Sequence, residues 1–279
     1  METAACSKKI SFSSFDLKVL GVIFMTFDHI CYFLSGILPV PFWFSIIGRI
    51  AAPLFLFTAC NGFEHTRSRK KYLLRLYLCM VIMSVVNIAE NIFLPHPTGA
   101  VAMGNIFSTL TYLIFFLICI EAVRCKSKKK KALGILGMML PFLLQFVYLF
   151  LVNLLVMQNK TELLMAVNRF ILIFAPLPMS IEGGVIFLVL GIGIFLTKNN
   201  KVLFSCFFIG ISLFFLAAAL LSGSTGKQLF TEQCQWTMIL SLPLLLKYNG
   251  EKGHGMKQFF YLYYPLHMLA LLLLARAIA

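Results

Sequence analysis

Apolar residues run through this chain in long blocks, interrupted by turn residues and by clusters of lysine and arginine. Blocks of about 17–25 apolar residues are long enough to cross the hydrocarbon core of a bilayer as helices. They fall at 15–37, 42–64, 72–94, 103–123, 132–156, 180–197, 202–222, 231–247 and 258–276. The stretch 163–178 (LLMAVNRFILIFAPLP) is shorter and interrupted. The opening METAACSKKISFSSF is polar, and no small-residue cleavage site follows the first block, which is therefore read as a retained helix.

The loops decide how these blocks alternate. Lys8 and Lys9, EHTRSRKKYLLR, RCKSKKKK, TKNNK and KYNGEKGHGMK are basic, whereas SGILPVP, FLPHPTGAVAMGN and VMQNKTE carry almost no basic residues. Basic short loops stay in the cytoplasm. Alternation then holds along the chain only if 163–178 does not cross, which makes it a re-entrant or interfacial segment. The expectation is an all-α polytopic transmembrane helical bundle of about nine spans in the cell membrane. The N-terminus is cytoplasmic, the C-terminus is extracytoplasmic, and residues 1–279 form a single integral-membrane unit.

Composition agrees with this. The chain is 60% hydrophobic and 12% charged, too apolar for a soluble protein of 279 residues. Its net charge of +14 needs no nucleic acid as partner, because basic loops beside an anionic bilayer account for it. The cluster Arg67, Arg69, Lys70, Lys71 and Arg75 has two readings: a topology signal, or a cytosolic site for phosphates. The eight cysteines show no CxxC or paired spacing, and most lie within spans, where cysteine acts as a small apolar residue. There is no HExxH and no histidine–carboxylate ligand set, so no intrinsic metal is expected, and there is no GxSxG and no P-loop.

Candidate chemistry comes from polar residues at depth. A helix rises 1.5 Å per residue, which puts Asp28 about 20 Å and Arg49 about 18 Å above the cytoplasmic edge of their spans. Two helices joined by a short loop are antiparallel neighbours, so an Asp28–Arg49 ion pair is expected. It would offset much of the penalty of burying either charge. It either locks two helices together or belongs to a site. His29 points about 100° away from Asp28 and faces another helix or a cavity. It is either a helix–helix hydrogen-bonding residue or a general base. Asn61, Glu64, His65 and Arg67 gather where the second span ends, and Gly62 permits close approach there. His65 and Arg67 suit the mouth of an anion site. His267 follows Pro265 in the last span, about 13 Å above the inner edge, while Tyr261, Tyr263 and Tyr264 suit an aromatic belt. Asn168, Arg169 and Glu182, the last in PMSIEGG, bring polar groups to the outer half, where they either line an acceptor pocket or cap a re-entrant turn.

The joint pattern DH, then GR-x-x-x-P, then GF-x-H-T-x-x-R, then YNG-x-x-G and FY-x-x-YPLH resembles the TraX family, named for the pilin N-acetylase of conjugative plasmids. The segments carrying it are FDLKVLGVIFMTFDHICYF, IIGRIAAPLFLFTACNGFEHTRSRKKYLLRL and YNGEKG…KQFFYLYYPLHMLAL. The likeness is close over the first 75 and the last 30 residues and rests mainly on hydropathy between them. GRIAAPLFLF is more distantly similar to membrane acyltransferases of the heparan-alpha-glucosaminide N-acetyltransferase type.

The resemblance implies transfer of an acetyl group from cytosolic acetyl-CoA to an amine or hydroxyl of a glycan, lipid or protein at the membrane or beyond it. Asp28, His29, Arg49, His65, Arg67 and His267 match the family pattern. Acyl transfer needs a base, an oxyanion stabiliser and a place for the CoA phosphates. His29 fits the base, with Asp28 and Arg49 setting the local electrostatics. His267 is the second candidate for the base, or a donor to the thioester carbonyl. His65, Arg67, Arg69, Lys70 and Arg75 are the candidates for the nucleotide end, with no metal. A transporter or flippase for a small or lipid-linked solute would also want buried charges and an asymmetric basic face. Acetyl-CoA binding discriminates the two.

Overall fold

A computed structural model describes residues 10–102 and 104–279. Lys8, Lys9 and Cys6 lie outside the described residues. The chain forms α1 (Ser14–Leu34), α2 (Trp43–Gly48), α3 (Ala51–His65), α4 (Arg69–Phe93), α5 (Ile106–Arg124) and α6 (Lys128–Met157). It continues through α7 (Thr161–Phe174), α8 (Gly184–Thr197), α9 (Lys201–Leu221), α10 (Gln228–Thr231), a 3-10 segment (Cys234–Ser241), α11 (Leu242–Leu246) and α12 (Lys257–Ile278).

Among the described residues, seven helices are long and apolar enough to cross a membrane, α2 and α3 together forming one of them, Trp43–His65. Two shorter apolar helices, Gly184–Thr197 and Cys234–Leu246, occupy the other two expected spans. The chain is a multi-pass helical membrane protein. Side chains cap several of these helices. Ser13 and Asp16 form a reciprocal capping box on α1, Asn105 accepts from the Ser108 N–H (3.0 Å), and Asn200 accepts from the Val202 and Leu203 N–H groups (both 3.1 Å). Each such cap contributes about 1 kcal/mol.

The basic helix ends meet on one face. The Ser14 N–H donates to the Glu251 carbonyl (2.8 Å), Lys198 pairs with Glu64 and reaches Asn61 (2.7 Å), and Arg69 pairs with Glu121 (3.3 Å). A strap, 247–253, clamps the start of α1 there: the Phe12 N–H donates to the Lys247 carbonyl and the Asn249 N–H to the Phe12 carbonyl, both at 3.0 Å. Gly253 has φ +66°, and a Cβ on it would collide with the Ser13 hydroxyl, so the second glycine of YNG-x-x-G is a packing requirement.

α7 does not cross. It has no buried residue, and the carbonyl of its last residue, Phe174, accepts from Tyr77 Oη (3.0 Å). Tyr77 sits eight residues into α4, about 12 Å from the basic face. Eight residues after Phe174, the Glu182 carbonyl accepts from Thr109 (2.5 Å), near the start of α5 at the opposite face. The segment thus reaches mid-depth and turns back, as the charge alternation predicts. α3 and α5 are the most enclosed long helices. α6 is the least enclosed and presents Leu133, Leu136, Phe146, Val147 and Phe150 outward, a surface suited to lipid tails.

The expected span 42–64 is interrupted where it matters. A proline removes the hydrogen bond to the carbonyl four residues earlier, and its ring crowds that carbonyl. For Pro53 that carbonyl belongs to Arg49. The helix breaks there between α2 and α3, with the Ile50 N–H falling back to the Ile47 carbonyl (3.1 Å). A Cβ on the preceding Gly48 would overlap the Asp28 side chain. The motif G-R-x-x-x-P therefore has a physical content: glycine admits Asp28 against the backbone, and proline opens the helix at the arginine.

Candidate functional site

Arg49, freed at this break, forms the expected ion pair with Asp28 of α1. Its Nη1 lies 3.4 Å from Gln235 Oε1, and its Nε is buried with no hydrogen-bond partner among the described residues. Asp28, His29, Arg49, Glu182, Gln235 and Tyr264 line a cavity of 220 Å³. Glu182 enters it from the turn before α8, where Gly183 (φ +70°) and Gly184 (φ +61°) reverse the chain. Its backbone is fixed by Thr109 and by Ser108, whose Oγ accepts from the Glu182 N–H (3.4 Å).

His29 turns toward α12. Its Nδ1 is 2.6 Å from His267 Nε2, and the two rings stack with centroids 4.9 Å apart. His267 Nδ1 in turn lies 2.8 Å from the Tyr263 backbone carbonyl. The Tyr263 ring stacks with His267 at 4.9 Å, its hydroxyl shares a 2.8 Å bond with Thr26, and Tyr264 packs edge-on against both histidines.

A second cavity, of 650 Å³, opens at the basic face. His65, Arg67, Lys71 and Arg75 line it together with Lys18 and Lys252. His65 Nδ1 is anchored 2.8 Å from the Asn61 carbonyl. Between the two lies a narrow apolar cavity of 110 Å³ walled by residues such as Val22, Phe55, Leu76 and Leu110. The three are neighbours, separated by shared walls. Lys18, Tyr72 and Tyr261 border both the basic vestibule and the neck, while Met25, Phe55, Ile106 and Tyr264 border both the neck and the central cavity. From Lys18 to His29 along α1 is about 16 Å.

The TraX family profile, described as TraX protein, matches residues 13–275. The chain belongs to the TraX family. One relative, the probable fimbrial assembly protein FimC, serogroup H1, of Dichelobacter nodosus, is 40% identical over 81 residues. That match covers 27% of this chain and 32% of the relative, so the chain aligns with only about a third of that protein's length. No solved structure matches.

In this TraX family member, four expected site residues meet at the centre: Asp28, His29, Arg49 and His267. Three of the expected anion-site residues, His65, Arg67 and Arg75, share the vestibule. Arg69 and Lys70 do not. Arg69 lies over the Phe63 ring (4.9 Å), donates to the Thr66 carbonyl (2.6 Å) and pairs with Glu121. Lys70 borders a separate apolar cavity of 400 Å³ beside Tyr112, Phe115 and Pro141. Helical phase is the reason: Lys71 and Arg75 stand four apart on one face of α4, and residues 69 and 70 are rotated off it. Lys71 takes their place, and Lys18 and Lys252 join from α1 and the strap. The tyrosines are not an interfacial belt, since Tyr261 borders the neck and Tyr263 and Tyr264 pack on the histidines. Glu64 is a fastening to Lys198, and Asn168 bonds to Tyr148 (2.5 Å) away from the cavity. Among the described residues, no group of three or more His, Cys, Asp or Glu is gathered as for a metal ion.

Proposed function

We propose that this chain is a membrane-embedded acetyltransferase that draws acetyl-CoA from the cytosol and acetylates an acceptor at the central cavity. The observation that carries this is the succession of adjoining cavities, from a cationic vestibule, past an apolar neck, to a central cavity lined by His29 and Arg49. Its parts correspond to the parts of the donor. The vestibule cations suit phosphates as point charges and forks. The neck suits a thin, mostly apolar arm, and the distance of about 16 Å along α1 fits an extended chain of pantetheine length. Arg49, at the end of this succession, has an Nε–H without a partner among the described residues and is suited to hold the oxyanion formed when a thioester carbonyl is attacked.

The basic face is cytosolic in this reading, by the positive-inside rule, which leaves the N-terminus inside and the C-terminus outside. The acceptor is an amine or hydroxyl of a glycan, lipid or protein at the membrane or beyond it. Two carboxylates, Asp28 and Glu182, against one guanidinium favour an amine. The family's pilin N-acetylase and the relative named for fimbrial assembly also support a protein amine.

The test is acetyl-CoA binding and transfer by purified protein in lipid nanodiscs. Expected are binding that weakens when the 3′-phosphate is removed from CoA, and acetylation of a membrane or surface fraction that is lost in His29→Ala. Absence of CoA binding, with solute uptake or lipid flipping that survives His29→Ala, would overturn the enzyme in favour of a transporter.

A further inference from the structure

The two histidines at the centre are not equivalent, and their surroundings dictate which nitrogen carries each hydrogen. A backbone carbonyl can only accept. His267 Nδ1, 2.8 Å from the Tyr263 carbonyl, therefore bears the N–H. A neutral imidazole has one N–H, so His267 Nε2 is a bare acceptor. His29 Nδ1, 2.6 Å away, must donate to it. This leaves the lone pair of His29 on Nε2. Of the two rings, His29 lines the central cavity and His267 does not.

We infer that His29 Nε2 is the base of the site and that His267 is a positioning residue, which sets the tautomer and orientation of His29 without touching substrate. The inference rests on the acetyl-transfer reading. The relay, from the Tyr263 carbonyl through His267 to His29, places a neutral imidazole where other acyl-transfer sites place a carboxylate behind the base. A neutral partner suits this location. Asp28, Arg49 and Glu182 line the same cavity as His29, and Tyr263 and Tyr264 pack against the pair from α12.

The step balances as follows. The acceptor nitrogen or oxygen forms a bond to the thioester carbon as His29 Nε2 takes its proton, and the carbonyl π pair moves onto oxygen. The tetrahedral adduct collapses, the C–S bond breaks with its electron pair on sulfur, and His29 Nε2–H returns the proton to the thiolate. The products are an amide or ester and the free thiol. While His29 is protonated, its Nδ1–H stays hydrogen-bonded to the lone pair of His267 Nε2, which stabilises the imidazolium.

Full-length protein labelled with ¹⁵N-histidine in nanodiscs tests this without relying on turnover. In the neutral pair, Nδ1 of both His29 and His267 should show the protonated shift and both Nε2 the bare shift, with assignments from His29→Gln and His267→Gln. The opposite tautomer at either ring overturns the inference. In kinetics, His267→Ala should lower kcat about 10–100-fold, the range for residues that orient a reacting group. It should leave KM for acetyl-CoA within about twofold and alter the pH profile, and adding it to His29→Ala should cause no further loss. An unchanged kcat and pH profile in His267→Ala, with folding checked by CoA binding, would also overturn it. Full acetyl transfer by His29→Ala would overturn His29 as the base, whereas absence of both CoA binding and transfer in the unmutated protein would overturn the acetyl-transfer reading itself.

Discussion

The Asp28–Arg49 pair is either a helix fastening or part of a reacting site, and a double-mutant cycle separates the two. Both side chains border the central cavity and keep 24% and 31% of their surface accessible, so neither is fully desolvated. Removing one partner from a buried pair costs about 3–5 kcal/mol, because the other charge is left uncompensated. Partial access to the cavity puts Asp28→Asn and Arg49→Gln at the lower end, about 3 kcal/mol each. Arg49 can fall back on Glu182 across the cavity, and the single Asp28→Asn is expected to be the milder. The double variant removes both charges and should recover about 2 kcal/mol of the summed losses. Reversible unfolding in mixed micelles reads these values, and acetyl transfer is assayed on the same preparations. A folded double variant that transfers no acetyl group assigns the pair to the chemistry. Additive single losses, with a coupling below about 0.5 kcal/mol, would refute the argument, because that is the value of an exposed pair.

The vestibule predicts a contrast between neighbouring cations at the start of α4 and in the loop before it: Arg67→Ala, Lys71→Ala and Arg75→Ala should each raise the Kd for acetyl-CoA about tenfold, the loss of one charge-assisted contact of about 1.4 kcal/mol. Arg69→Ala and Lys70→Ala should leave it within twofold, and calorimetry compares the two sets. Gly48→Ala should destabilise the protein despite alanine's helix preference of about 1 kcal/mol, because the new methyl group displaces Asp28. A stability gain in thermal unfolding would contradict that packing. Pro53→Ala should restore a continuous helix through Arg49 and lower kcat while leaving the Kd for acetyl-CoA unchanged, since the vestibule lies at the other end of α3. A fully active Pro53→Ala enzyme would show that the break is incidental.

The sequence by itself determined the membrane class, the places of the spans, the non-crossing segment 163–178 and the depths of Asp28 and Arg49. Each of these depends on local quantities: the length of an apolar run, the sign of a loop and a fixed rise per residue. Height along a helix can be counted, so two charges at matching heights on neighbouring helices could be paired before any packing was known. Rotation about the helix axis and the choice of lateral neighbour cannot be counted in this way, and they were decided by the tertiary structure. His29 and His267 are 238 residues apart, and nothing local to either marks the other as its partner. The same limit put Arg69 and Lys70 on the wrong face of α4 and hid Lys18 and Lys252, which reach the vestibule from other elements. Glu182 was visible as a polar residue near a glycine turn, but only the fold of that turn against Ser108 and Thr109 brings it to the central cavity. Packing of many side chains at once sets azimuth and adjacency, so the axial coordinates of this site were legible in the chain and its lateral ones were not.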